Sequence, residues 1–423
     1  MVLHKKFNAY KPFLTIFFLG IVSGLPLSLI LSTLKALLVE KGFDLRTVGF
    51  FALVTIPYGL KILFAPIIDS FKIPYLTNII GHRKSWIIAT QSLLALFIIC
   101  LGASTIFTNL IYISLFALLI AFSSASQDIV IDGYRIELIK DNDQGLASSF
   151  YIYGYRLGLL ISGAGALALA EIIKWEAVYF IMGLIMLCSV FITLFIKETR
   201  DNFKKEYMGF NSWFRKFIII PLFDIITRRQ NAYIILSLIF CFKLADSFAG
   251  NLILPFLLDI GYSKLEIAAA LKTFGLFAIL SGVLFGGILV KKFNILNILW
   301  LATLMQMLSN LGFCYLAAND KNIINLYQVV FIENFSGGIG DAVLVAYLSS
   351  LCNKKYSATQ YALLISITSV ARSLFSSTAG IYAQNLGWFN FFIFSACLAL
   401  PAILFLFWLT ILNRPIKKPS RHY

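Results

Sequence analysis

The chain has 423 residues, of which 60% are hydrophobic, 15% aromatic and only 13% charged. A water-soluble core never needs that much apolar surface, so a soluble globular or disordered protein is excluded and a lipid-facing bundle is expected. The formal net charge of +15 suggests nucleic acid at first sight, but no nucleic-acid module accompanies it and its placement has another cause.

Apolar runs long enough to cross about 30 Å of hydrocarbon recur along the whole chain. They predict spans at 13–34, 47–68, 85–105, 109–133, 145–170, 177–196, 231–258, 265–290, 294–318, 324–349, 358–383 and 387–412. The runs are continuous, without the ten-residue alternation of a membrane β-barrel, so the fold class is all-α. Lys5, Lys6 and Lys11 precede the first run, which is longer than 20 residues and is followed by no small-x-small cleavage pattern. It is expected to remain as the first span and not to act as a signal peptide. Gly20-xxx-Gly24, Gly154-xxx-Gly158 and Gly282-xxx-Gly286 are spaced to let helix backbones pack closely. The long polar connection, 197–230, divides the spans six and six. Its middle, 213–226, mixes aromatic and aliphatic residues with Arg215 and Lys216, which suits either a surface-lying helix or a plain linker. The expected organisation is a six-helix bundle over 1–196, the linker, and a second six-helix bundle over 231–423.

With a cytoplasmic N-terminus, 24 of the 35 Lys and Arg residues fall in inside connections and 5 in outside ones. That skew is the positive-inside rule and predicts that both termini are cytoplasmic. The basic excess is therefore topological, and attraction to acidic lipid headgroups is a by-product.

The two halves echo each other in order. LLVEKGFDLRTVG after the first span resembles FLLDIGYSKLEIA after the seventh. QDIVIDGY in the fourth resembles GDAVLVAY in the tenth, pairing Asp128 with Asp341. GYRLGLLISGAG in the fifth resembles VARSLFSSTAG in the eleventh, pairing Arg156 with Arg372. Parallel six-helix repeats are the architecture of the major facilitator superfamily, which moves solute by rocking one half against the other.

Eleven charges fall inside the predicted spans, each costing about 2.5–3.5 kcal/mol at a helix centre unless it faces a cavity or a partner. Lys35, Lys61, Asp132 and Lys272 lie near enough to span ends to snorkel. Asp128 and Arg156 differ in predicted depth by about 7–8 Å, within reach of an extended Arg. Asp341 and Arg372 repeat the arrangement. Either pair reads as a structural latch at the cytoplasmic end, or as an arginine fork for a substrate carboxylate. Lys243 and Glu333 lie about 18 and 16 Å from the cytoplasmic face, near the midplane. Glu333 there is a proton-coupling candidate, with Asp246, one turn from Lys243, as the alternative. A static Glu333–Lys243 pair is the plainer reading.

The six cysteines read as small buried apolar residues, and His4, His82 and His422 lie far apart outside the spans. No metal, cofactor, nucleotide-binding loop, nucleophile elbow or catalytic dyad is indicated, so an enzyme is not expected.

Six stretches together resemble the AmpG family of muropeptide permeases, a branch of the major facilitator superfamily. They are LGIVSGLPLSL (19–29), DLRTVGFFALV (44–54), Lys61 with APIID (65–69), GHRKSWIIATQ (81–91), SASQDIVID (124–132) and YRLGLLISG (155–163). The C-terminal half matches mainly in length and span order. The resemblance implies a monomeric inner-membrane permease that imports GlcNAc-1,6-anhydromuramyl peptides using the proton gradient. Arg156, Arg372 or Lys243 would then meet the stem carboxylates, and Tyr58, Tyr153 or Tyr347 the sugar faces. The loop between spans two and three, which carries Asp69, Gly81, Arg83 and Lys84, is expected to act in conformational change. It departs from the superfamily's compact Gly-Asp-Arg-Gly-Arg pattern, because eleven residues separate Asp69 from Gly81. An acetyl-CoA-type transporter and a non-transporting sensor or lipid-handling protein are the alternatives.

Overall fold

The computed structural model describes residues 2–43, 47, 51–106, 109–199, 210–228, 231–250 and 252–412. Most of the 44–50 stretch, the basic residues Arg200, Lys204, Lys205 and Arg229, and the C-terminal residues 413–423 lie outside the described residues. Regular structure among the described residues is entirely helical. Among the described residues, ten helices are long and apolar enough to cross a membrane, or eleven when the bent pair Leu53–Gly59 and Lys61–Ser70 counts as one span. The segment predicted as spans eleven and twelve is one helix, Ser357–Cys397, interrupted at Gly387 (φ 71°), followed by Leu400–Leu412. Gly387 adopts the left-handed backbone that turns the chain between the two expected crossings.

Large apolar side chains remain uncovered along the spans, among them Phe191 (62% exposed), Phe277 (68%) and Leu404 (65%). Water would not tolerate such faces in number, whereas lipid tails do.

The chain divides into two compact units: Met1–Asp224 with Leu348–Ser366, and Ile225–Tyr347 with Ile367–Tyr423. The first unit therefore includes a short piece of C-terminal sequence, the cytoplasmic ends predicted for spans ten and eleven. In this unit the first span (Tyr10–Glu40) packs against the fifth (Asp141–Ala170) through glycines from both sides. A Cβ on Gly20 or Gly24 would strike the backbone carbonyls of Tyr151 or Tyr155, and one on Gly154 or Gly158 those of Phe17 or Ile21. The expected close packing is thus mutual. Both helices loosen into a π turn nearby, at Leu29–Thr33 and Ile161–Gly165, and the Thr33 hydroxyl donates to Ser162 O across the contact at 2.7 Å.

In the second unit, Gly282 and Gly286 of the eighth span (Lys264–Lys292) pack on Phe335 and Ile339 of the tenth (Ile323–Leu351), which answers with Gly338 against Ile279. A capping box starts the eighth span: Ser263 Oγ accepts from Glu266 N, and the Glu266 carboxylate accepts from Ser263 N. The echo between halves extends to how helices stop. The first and seventh spans each end on a left-handed glycine, Gly42 (φ 83°) and Gly261 (φ 91°). In each, the next amide closes back on the helix, Phe43 N to Leu38 O and Tyr262 N to Leu257 O, both at 3.0 Å.

The linker is helical through Phe210–Phe214, Arg215–Ile219 and Ile220–Arg228. It docks on the first unit. Trp213 Nε1 donates to Ser70 Oγ at 2.8 Å, and Gln360 Nε2 donates to Pro221 O at 3.0 Å and Asp224 Oδ2 at 2.8 Å.

Candidate functional site

Three groups of charged side chains stand out, two in the first unit and one in the second. The fourth span runs as one helix from Leu110 to Leu138, five residues beyond the predicted end. Asp128 therefore lies 10 residues from the helix end, about 15 Å in and close to mid-span. Its expected partner, Arg156, is not there. Lys61 Nζ donates to Asp128 Oδ2 at 2.5 Å, and the other oxygen accepts from Ser23 Oγ, which in turn bonds Tyr151 Oη at 2.9 Å. The side chains of Lys61 and Asp128 are only 17% and 6% exposed. Lys61 is thus not a snorkelling residue. It opens the second half of the broken second span, where the helix bends by 51°, with its ammonium 5.4 Å from the Tyr58 ring centre. Arg156 makes no ion pair among the described residues.

The second group gathers at the span ends where the second span stops and the third begins. Asp69 closes the second span and Arg83 opens the third (His82–Ser104). Despite the long intervening loop, Arg83 Nη2 reaches Asp69 and Glu137 at 2.7 Å each, and Nε also faces Glu137 at 3.2–3.3 Å. Gly81 makes this possible, because its φ of 91° turns the chain and a Cβ would collide with Glu198. Glu198 receives the amides of Arg83 and Lys84, at 3.2 and 2.9 Å, at the positive start of that helix, and Lys84 Nζ donates to Leu194 O at 2.7 Å. The same acids hold the 348–366 segment. Ser357 Oγ donates to Glu137 at 2.6 Å and accepts from Arg83 at 3.0 Å, while Thr359 gives both its amide (2.9 Å) and hydroxyl (2.8 Å) to Asp69. Beside it, Arg135 is fully buried. It donates to Ser349 Oγ at 3.0 Å, faces Asp132 at 3.4 Å, and lies 5.7 and 5.3 Å from the rings of Tyr151 and Tyr361. Arg135, two residues past the predicted end of the fourth span, is part of this interior.

In the second unit, Lys243 is flanked by Asp246 at 2.9 Å and Asp341 at 2.8 Å. Asp341 accordingly pairs with Lys243 and not with Arg372, which is exposed and forms no ion pair among the described residues. Glu333 is also not salt-bridged to Lys243, and its carboxylate has no hydrogen bond or ion pair among the described residues. Lys243 and its two partners sit where the seventh and tenth spans meet. A Cβ on Gly340 would lie 3.4 Å from Lys243 Nζ and would strike the Gln306 amide, so this glycine leaves room for the ammonium.

Residues 16–376 match the Major Facilitator Superfamily. The chain belongs to that superfamily, in its AmpG branch. It is 38% identical over 412 residues to the transporter AmpG 4 of Rickettsia conorii, covering 97% of this chain and 99% of that one. It is 36% identical over 390 residues to the anhydromuropeptide permease of Escherichia coli K12, covering 92% and 77%. In fold it resembles the human organic anion transporter MFSD10, with a TM-score of 0.67 at 14% identity over 94% of this chain and 99% of that one. The chain is a multi-pass membrane transporter of a small-molecule substrate and not an enzyme.

Sequence reasoning found Asp128, Lys243, Asp246, Asp341, Asp69 and Arg83 but misassigned three partners. It missed Glu137, Glu198, Ser357 and Thr359. Lys61 was the one missed partner with a signal, since it stands within the family-like stretch that ends at Asp69.

Proposed function

We propose that this transporter imports GlcNAc-1,6-anhydromuramyl peptides from the periplasm to the cytoplasm across a bacterial inner membrane, by proton symport with alternating access. The observation that carries the reading is the 36% identity, over 92% of this chain and 77% of the other, to the Escherichia coli protein named anhydromuropeptide permease. The residue chemistry supports it. The stem peptide is anionic, and Arg156 and Arg372 carry charge that no acid of the described residues neutralises. Tyr58 offers a ring for a sugar face beside Lys61. In this reading the chain works as a monomer of two six-helix halves, 1–196 and 231–423, joined by 197–230, with both termini cytoplasmic as the basic skew requires. Glu333 is the proton carrier, being an interior carboxylate without a cation of its own, and Asp246 is held by Lys243. One proton moved through 100 mV supplies about 2.3 kcal/mol, enough for roughly 50-fold accumulation. The test is uptake of labelled anhydromuropeptide by right-side-out vesicles, with unlabelled anhydromuropeptide or acetyl-CoA as competitor. Competition by acetyl-CoA alone would overturn the substrate.

A further inference from the structure

The Lys61–Asp128 pair has no counterpart in the reading above, and its construction is unusual for a structural ion pair. Burying two charges is costly, and an apolar pair of equal volume often holds helices as well or better. The pair also sits at a break. The second span bends by 51° between Gly59 and Lys61, and a Cβ at Gly59 would meet nothing within 4 Å. Helix breaks in transporters occur where backbone lines a cavity, because freed polar groups cannot face lipid. Lys61 is the first residue past the break, still 17% exposed, on the more accessible side of the pair. Asp128, at 6%, is enclosed behind it by Ser23 and Tyr151.

We propose that Lys61 is the clamp for a substrate carboxylate, and that it passes between Asp128 and the substrate during each cycle. The inference rests on the anionic-substrate reading above and deepens it. When a stem carboxylate takes the Lys61 ammonium, Asp128 loses the cation bonded to it. The other ionisable groups around it are Tyr58 on the second span, Tyr151, Tyr155 and Arg156 on the fifth, and Asp132 one turn along its own helix. Of these, Arg156 makes no ion pair, and none of the others is a cation. Asp128 therefore takes a proton from the periplasmic side as the carboxylate arrives. On the cytoplasmic side the carboxylate leaves, Asp128 gives its proton to water, and Lys61 returns to it. One substrate carboxylate and one proton cross together and the local charge is unchanged. This proton neutralises the substrate and is additional to the one carried by Glu333.

The experiment measures KM in right-side-out vesicles for two labelled probes, anhydromuropeptide with free stem carboxylates and the same molecule with those carboxylates amidated, at pH 6 to 8. Wild type should bind the free acid more weakly as pH rises, because deprotonated Asp128 competes for Lys61. Lys61→Gln should raise KM for the free acid about tenfold or more, the worth of a charge-assisted hydrogen bond, and leave the amidated probe unchanged. Asp128→Asn should lower free-acid KM and leave it with only the pH dependence that the amidated probe shows. The double variant Lys61→Gln with Asp128→Asn leaves no unpaired charge, so it controls for folding and should behave as Lys61→Gln. Equal loss of both probes in the folded double variant would overturn the clamp, as would a free-acid pH dependence in Asp128→Asn steeper than that of the amidated probe. If wild type takes up neither probe, the muropeptide reading itself fails, a result separable from a wild type that transports both without discriminating them.

Discussion

Replacing Ser357 by Ala should open the end of the first unit that holds Arg83 without dismantling its charged core. The Ser357 hydroxyl joins the 348–366 segment to two charged groups, accepting from Arg83 at 3.0 Å and donating to Glu137 at 2.6 Å. Each such charge-assisted bond is worth about 1.5–3 kcal/mol. Losing both should shift the closed-to-open balance by about 3 kcal/mol, roughly 150-fold. Arg83, Asp69 and Glu137 keep one another at 2.7 Å, so no buried charge is orphaned and the protein should still fold. Cys352 lies in the same segment and is buried, its thiol donating to Leu348 O at 3.2 Å, which makes it a native reporter. With Cys352 as the sole cysteine, a membrane-permeant maleimide should label the Ser357→Ala protein roughly 100-fold faster than its parent. An unchanged labelling rate in a correctly inserted protein would refute the idea that this contact holds the end shut.

Other outcomes follow from the same contacts. Glu333→Gln should keep counterflow in de-energised vesicles and lose accumulation in energised ones; a wild-type accumulation ratio would remove Glu333 from coupling. Gly158→Leu should prevent folded protein from reaching the membrane, since its side chain would drive into the Ile21 carbonyl, and normal yield on size exclusion would contradict the packing. Arg156→Asp should impair uptake, and adding Asp128→Arg should not restore it, because Asp128 pairs with Lys61; recovered uptake in the exchanged double variant would restore the pairing expected from sequence. Reporter fusions at Lys216, Lys291 and Lys354 should read cytoplasm and those at Lys174 and Lys321 periplasm, the reverse at Lys216 being fatal to the topology.

The spans were legible because lipid imposes a long apolar run on each, and the breaks at Gly42, Gly261 and Gly387 carry the residue that tolerates a left-handed backbone. The partners of the interior charges were less so. Hydropathy ends the fourth span near Asp132, yet Arg135 and Glu137 continue the helix to Leu138, their charge neutralised by Asp132 and Arg83. That shortening placed Asp128 too near the cytoplasm and matched it with Arg156. Residue count along a helix gives depth but not rotation, and rotation decides that Asp341 faces Lys243 while Arg372 does not. Lys61 was hidden for a related reason: the bend before it makes a mid-span residue look like a span end. Ser357 and Thr359 carry no charge, and nothing in their spacing announces the acids they meet.

The central claim is that a proton gradient drives anhydromuropeptide into the cytoplasm through this chain. It is tested most directly by loading right-side-out vesicles with the purified transporter's membrane, imposing an inward proton gradient, and following labelled anhydromuropeptide with and without an uncoupler. The account predicts accumulation above the external concentration that collapses to equilibrium when the uncoupler is added. Accumulation that the uncoupler leaves untouched, or labelled substrate that never enters, would contradict it.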